Sequence, residues 1–173
     1  MRILKHTGLI AFLALIIASA SMNSSCNIYK FKDISIPDTI HTVKINYIEN
    51  RAPYVNPQLS SKLTEKLKQK VIGQTRLTQT TSDNPDWEIT AVIRDYALST
   101  SAISGQREAT NRLTVTIHVT KYDRKADKTD QYDVSRNFEF SASQSLQQAE
   151  ASLNDEMIRS LTDEIFNRLF SNW

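Results

Sequence analysis

The sequence predicts an α+β protein: a two-layer sandwich in which two amphipathic helices cover one face of a mainly antiparallel, mixed four-stranded sheet. Three observations predict it. Four segments alternate apolar and polar residues with period two, as strands buried on one side do. Two segments repeat apolar residues every three or four positions, as helices with one buried stripe do. The last three strands follow one another through short polar connections, which favours antiparallel neighbours, and two apolar stripes need a sheet face to cover.

The first strand is read at Val43, Ile45 and Tyr47, alternating with Thr42, Lys44 and Asn46, and residues 49–53 (ENRAP) end it. A helix opens at Asn56-Pro57, because Asn caps well and the N–H that Pro lacks would be unpaired there anyway. Leu59, Leu63, Leu67 and Val71 form its buried stripe, with Gly73 expected at a left-handed C-cap. Lys62, Lys66 and Lys70 line up beside it with Lys68 nearby, and read as solvated cations near a helix C-terminus. Residues 75–80 (TRLTQT) allow a short strand, and residues 82–85 (SDNP) a turn.

In the next strand Trp87, Ile89, Ala91 and Ile93 share a face, whereas Tyr96 and Leu98 carry apolarity on the opposite parity. A one-residue slip of phase predicts a β-bulge near Arg94-Asp95. Residues 100–108 (TSAISGQRE) form a loop with Gly105 near its tip. Leu113, Val115, Ile117 and Val119 then alternate with outward Thr114, Thr116, His118 and Thr120. After a charged turn at residues 123–129 (DRKADKT) come Tyr132, Val134, Phe138 and Phe140, with Arg136 in the middle of their row. Ser145 and Gln148 match a capping box. Behind them Leu146, Ala149, Leu153, Met157, Leu161, Ile165 and Leu169 make a long helical stripe, widened by Phe166, Phe170 and Trp173.

Ahead of this domain stands an N-terminal segment of another character. Arg2 and Lys5 precede an uncharged apolar run over residues 8–20, and small polar residues lead to Cys26. That order reads as a secretory signal peptide, too short to cross a bilayer comfortably, which takes about 20 apolar residues. Cys26 is the only cysteine, so an internal disulfide is impossible. The segment resembles a bacterial lipoprotein signal, in which the thiol is lipidated and the chain is cut just before it. Ser24 and Ser25 suit its small positions, while Asn23 stands where an aliphatic residue is usual. The alternative is cleavage near Ala20 or Ser21, leaving a free thiol. The expected division is a lipoprotein signal over residues 1–25, a lipid-anchored tether over 26–39 and a single domain over 40–173. Two or more acyl chains anchor stably, at about 0.8 kcal/mol per buried methylene. Asn27, Ile28 and Tyr29 place no acid after the cysteine, and the expected location is the periplasmic side of an outer membrane.

Removing Arg2 and Lys5 lowers the 21 basic residues to 19, equal to the 19 acidic ones. A neutral mature chain does not call for nucleic acid as a partner. The catalytic inventory is thin. His41 opens a strand and His118 lies on an outward row, neither with ligand-spaced neighbours for a metal. No Gly-rich phosphate loop or nucleophile elbow occurs. No enzyme, metal or cofactor is therefore expected, and a hydrolase reading would have to rest on His41 or His118. Two basic features could meet an anionic glycolipid, since Arg suits bidentate phosphate or carboxylate contact: Arg107 and Arg112 at one loop, and Arg124 and Lys125 at the charged turn.

Four short marks occur in a set order: NRA…VNP before the first helix, QTRL after it, NRLT opening a strand, and a terminal NW. With these marks the mature chain resembles the lipopolysaccharide-assembly lipoproteins of the LptE family, in a divergent LptE-like branch. The resemblance implies a helix-on-sheet lipoprotein that plugs the LptD β-barrel, helps it assemble, and handles lipopolysaccharide on its way to the cell surface. Only the lipidated cysteine carries over to a residue, Cys26. An adaptor role in another cell-envelope complex is the competing expectation.

Overall fold

The computed structural model describes residues 36–100 and 110–171. Cys26, the tether to residue 35, Gly105, Arg107 and Trp173 lie outside the described residues. In chain order the elements are β1 (Thr42–Ile45), β2 (Glu49–Asn50), α1 (Leu59–Gln74), β3 (Thr78–Gln79), β4 (Trp87–Thr100), β5 (Thr110–Asp123), β6 (Lys128–Ser141) and α2 (Leu146–Phe170). The α+β class with two helices holds, but the sheet has six strands instead of four, in the order β3-β1-β4-β5-β6, with β2 also pairing β4.

Half of that sheet follows from chain connectivity. The three long strands form an antiparallel meander, β4 to β5 to β6, joined by short connections. The three short strands run parallel: β1 pairs with both β3 and β4, and β2 continues along β4 beyond β1. The first helix causes this, because a chain that leaves a sheet through a helix returns in the direction it left. The extra strands, β2 and β3, are two residues each, too short to show any period.

The bulge falls where the phase slips. Pairing runs Ile93↔Ile117 and then Asp95↔Thr116, so Arg94 is the extra residue. The slip returns Tyr96 to the helix side, where it is buried. Leu113, Val115, Ile117 and Val119 are fully buried beneath the helices. Each such aliphatic side chain contributes about 1.5–3 kcal/mol by leaving water. Tyr47 departs from its expected place. It is 58% exposed because the chain leaves the sheet after Ile45, and Ile48 is buried instead.

The capping box of α2 is present, with Ser145 Oγ accepting from the Gln148 amide and Gln148 Oε1 from the Ser145 amide. The helix starts later than expected: its N-cap position is Gln58 and regular helix begins at Leu59, while Asn56 Oδ1 accepts the amides of Gln58 and Leu59 in the turn just ahead. The expected Gly73 cap is wrong. Gly73 lies inside the helix, which ends on extended Thr75, whose amide and hydroxyl both donate to the Val71 carbonyl. Buried Thr64 accepts the Ile48 amide while donating to the Ser60 carbonyl, fastening the bend between β1 and β2 to the helix.

The lysine row of α1 has acidic company. α1 carries four lysines against one glutamate, and α2 five acids against two arginines. Lys70 pairs with Asp163 at 2.9 Å and lies over the Phe166 ring, and Lys62 reaches Asn154 at 3.4 Å. The two helices therefore run side by side in the same direction. Arg136, the cation within an apolar row, pairs with Glu164 of α2, which also receives Arg168 at 3.2 Å.

Candidate functional site

The helices cover one face of the sheet, and among the described residues no element covers the other. Across the open face short polar side chains pair between strands. Thr114 bonds Asn137 at 2.9 Å, Thr116 meets Ser135 at 3.2 Å, and His118 Nδ1 lies 2.7 Å from Asp133 Oδ1. Asn46 of the loop after β1 donates to Glu88 at 2.9 Å. The inward row of β5 fixes this pattern, because successive strand residues point to opposite faces and the polar ones must go outward. The result is a hydrated, cross-linked hydroxyl and amide surface. His118 belongs to this ladder, bonded to its neighbour's carboxylate. His41, at the sheet's end, gives its backbone amide to Asp86. Among the described residues no group of three or more His, Cys, Asp or Glu side chains is placed to hold a metal.

The expected basic residues separate. Arg112 is bonded to Glu139 across the ladder at 2.9 Å, near the sheet end that carries residues 101–109. Arg124 and Lys125 sit at the opposite end, roughly 40 Å away at about 3.3 Å per strand residue. They are engaged there: Arg124 donates to the carbonyls of Pro85 and Asp83, and Lys125 to the Thr39 carbonyl and the Asp86 carboxylate. Arg112 and the pair Arg124 and Lys125 thus stand as separate features at opposite ends of the sheet. The turn cations instead stitch the meander to the strand end at Asp86.

Asp86 is a hub that sequence reading missed. One carboxylate oxygen accepts the amides of His41 at 2.8 Å and Thr42 at 2.9 Å, and the other faces Lys125 at 3.1 Å. These donors, the His41 amide foremost, hold its carboxyl well below the usual carboxylate range. A second cluster joins the helix starts to β4. Glu150 accepts from Tyr96 at 2.7 Å, Asn56 at 3.1 Å and Tyr54 at 3.2 Å, and the two tyrosine rings stack 5.4 Å apart. Burial and the Glu150 carboxylate push the Tyr96 hydroxyl up, so it stays a donor. Both clusters are structural fastenings that join segments 39 or more residues apart, beyond any local motif.

Comparison with known families decides what kind of protein carries this surface. The model of the family described as LptE, lipopolysaccharide-assembly, matches residues 40–169. The chain is a member of the LptE family. No curated protein matches it. Among solved structures, a putative neuraminyllactose-binding hemagglutinin homolog from Helicobacter pylori is 9% identical, with a TM-score of 0.50 over 82% of this chain and 89% of that one. A minor lipoprotein from Acinetobacter baumannii is 14% identical, with a TM-score of 0.46 over 77% and 98%. At these identities the likeness is one of fold alone. The residues matched to the LptE model run from Ile40 at the buried start of the domain to Leu169 in the last turn of α2.

Proposed function

We propose that this LptE-family chain is a non-enzymatic, lipid-anchored plug. It sits at the periplasmic side of the outer membrane through an acylated Cys26, inside the LptD β-barrel, where it helps the barrel assemble and takes part in lipopolysaccharide delivery. The observation that carries the reading is the open sheet face. A broad surface of Thr, Ser, Asn, Asp and His side chains already bonded to each other suits a water-filled lumen, where a partner must slide in without burying unpaired charge. Arg112, paired with Glu139 across the ladder, and Arg124 and Lys125, bonded at the other end of the sheet, all carry partners, so an anionic glycolipid would have to compete for any of them.

Solubilising the native envelope in gentle detergent and purifying the full chain tests it. A large β-barrel should co-purify at one copy per copy. A monodisperse chain with no barrel overturns the reading, and a different envelope complex in its place favours the adaptor role.

A further inference from the structure

The sheet has two long free borders, and they differ. On the side away from β5, no strand among the described residues borders β6, and it carries Lys128, Asp130, Asp133, Arg136 and Glu139. Charges spread along an exposed strand discourage a further strand from pairing with it. The other border is the last part of β4. There β1 covers residues 87–89 and β2 residues 92–93, and the chain turns away after the Arg51 amide bonds the Ile93 carbonyl.

Beyond that point the bulge resets the alternation. The Ile89 and Ile93 carbonyls point toward β1 and β2. After the extra residue Arg94, the same orientation passes to Tyr96, Leu98 and Thr100. Among the described residues nothing bonds their outward N–H and C=O groups. This stretch, YALST, carries no charge. Leu98 is 49% exposed, and two residues before it Tyr96 stacks with Tyr54, itself 39% exposed. Two of the large hydrophobic side chains that the fold leaves in water thus lie along or against a strand border that carries no charge of its own.

We infer that this border, Tyr96 to Thr100, receives an extended segment of the barrel polypeptide as an added strand, with an aliphatic or aromatic residue against Leu98. The inference rests on the barrel reading above and names the surface that reading leaves open. Backbone groups in a strand register give the attachment, and alternate side chains the choice of segment. A second copy of this chain is a poorer occupant. Three outward-facing residues bury far less than the ~1,200–2,000 Å² of a free-standing specific pair, so the added strand must belong to a partner already held elsewhere.

Leu98→Pro tests this in the full-length lipoprotein in its own cells. Proline removes an N–H that only the added strand uses, and a border strand tolerates it. Gln131→Pro places the same lesion on the outward backbone of the charged border, at a residue without a partner in the hydroxyl ladder. Expected is at least a tenfold loss of co-purified barrel for Leu98→Pro and none for Gln131→Pro, with a photo-cross-linking residue at Ser99 of the otherwise unaltered chain capturing the barrel. Leu98→Lys, which keeps the backbone, should lower recovery in the same direction. Barrel recovery by Leu98→Pro equal to that of the unaltered chain overturns the added strand while sparing the plug reading. Cross-links from Ser99 only to a second copy, or to nothing, do the same. Absence of barrel from the unaltered chain overturns both.

Discussion

Asp86 shows how much one carboxylate can hold. It fastens the start of β1 to the turn between β5 and β6, across 44 residues in one direction and 39 in the other, through His41, Thr42 and Lys125. Its folded-state pKa is depressed, so its contribution is complete above the unfolded value of about 4 and is lost as pH falls toward the lowered one. Asp86→Asn should cost about 2 kcal/mol near neutral pH, since hydrogen bonds to a charged group are worth about 1.5–3 kcal/mol. The gap from the unaltered protein should close on acidification toward pH 2, as read from urea unfolding at a series of pH values. Thr64 makes a simpler test. Thr64→Val keeps the shape but strands the buried Ile48 amide, and should cost about 1–3 kcal/mol in the same measurement with the m-value unchanged.

At the level of elements, the helix ends give opposite signs. Ser145→Ala removes the capping oxygen of α2 and should lower stability by about 1 kcal/mol. Gly73→Ala should raise it by about 0.5–1 kcal/mol, because Gly73 is an interior helical position whose added Cβ would meet nothing within 4 Å. Thermal melts of both variants check the pair. Gly73 also shows what sequence could not convey. A glycine near the end of an apolar stripe reads as a stop, but Thr75, two residues on, supplies the stop through its own hydroxyl. The bulge, the capping box and the two stripes were legible because each is written in residues a few positions apart. The first strand and the short strand allowed over residues 75–80 were legible too, but their parallel pairing was not, since pairs such as Val43↔Trp87 and Thr42↔Thr78 depend on the return path of a helix. The partners of the basic turn were hidden for the same reason: Arg124 and Lys125 look free until the loop at residues 83–86 and Thr39 are folded against them.

For the whole molecule, the helix layer is held to the sheet by apolar burial and trimmed by ion pairs. Lys70–Asp163 joins the two helices, with the lysine side chain 19% exposed. Leu161, fully buried in α2, is part of the burial that holds that layer to the sheet. Leu161→Ala should therefore cost about 2–5 kcal/mol and lower the melting temperature of the entire domain in one transition. The open face should answer differently. Exchanging Thr116 for Val leaves Ser135 exposed to water, so stability should move by less than about 0.5 kcal/mol, the usual range for surface positions, while barrel recovery reports on the face itself.

The mixed direction of the sheet also sets an order of events. β4, β5 and β6 are sequential neighbours closed by short connections, whereas β1 finds β3 and β4 only across sequence separations of 36 and 44. Closing long loops is entropically slower to reward than zipping hairpins. The three-strand meander should therefore nucleate folding, with φ-values highest around Ile117, and β1 should dock last. A chain that emerges amino end first would thus hold its opening strand unpaired until the centre of the sheet exists, leaving Val43 and Ile45 as the residues most in need of a chaperone during export.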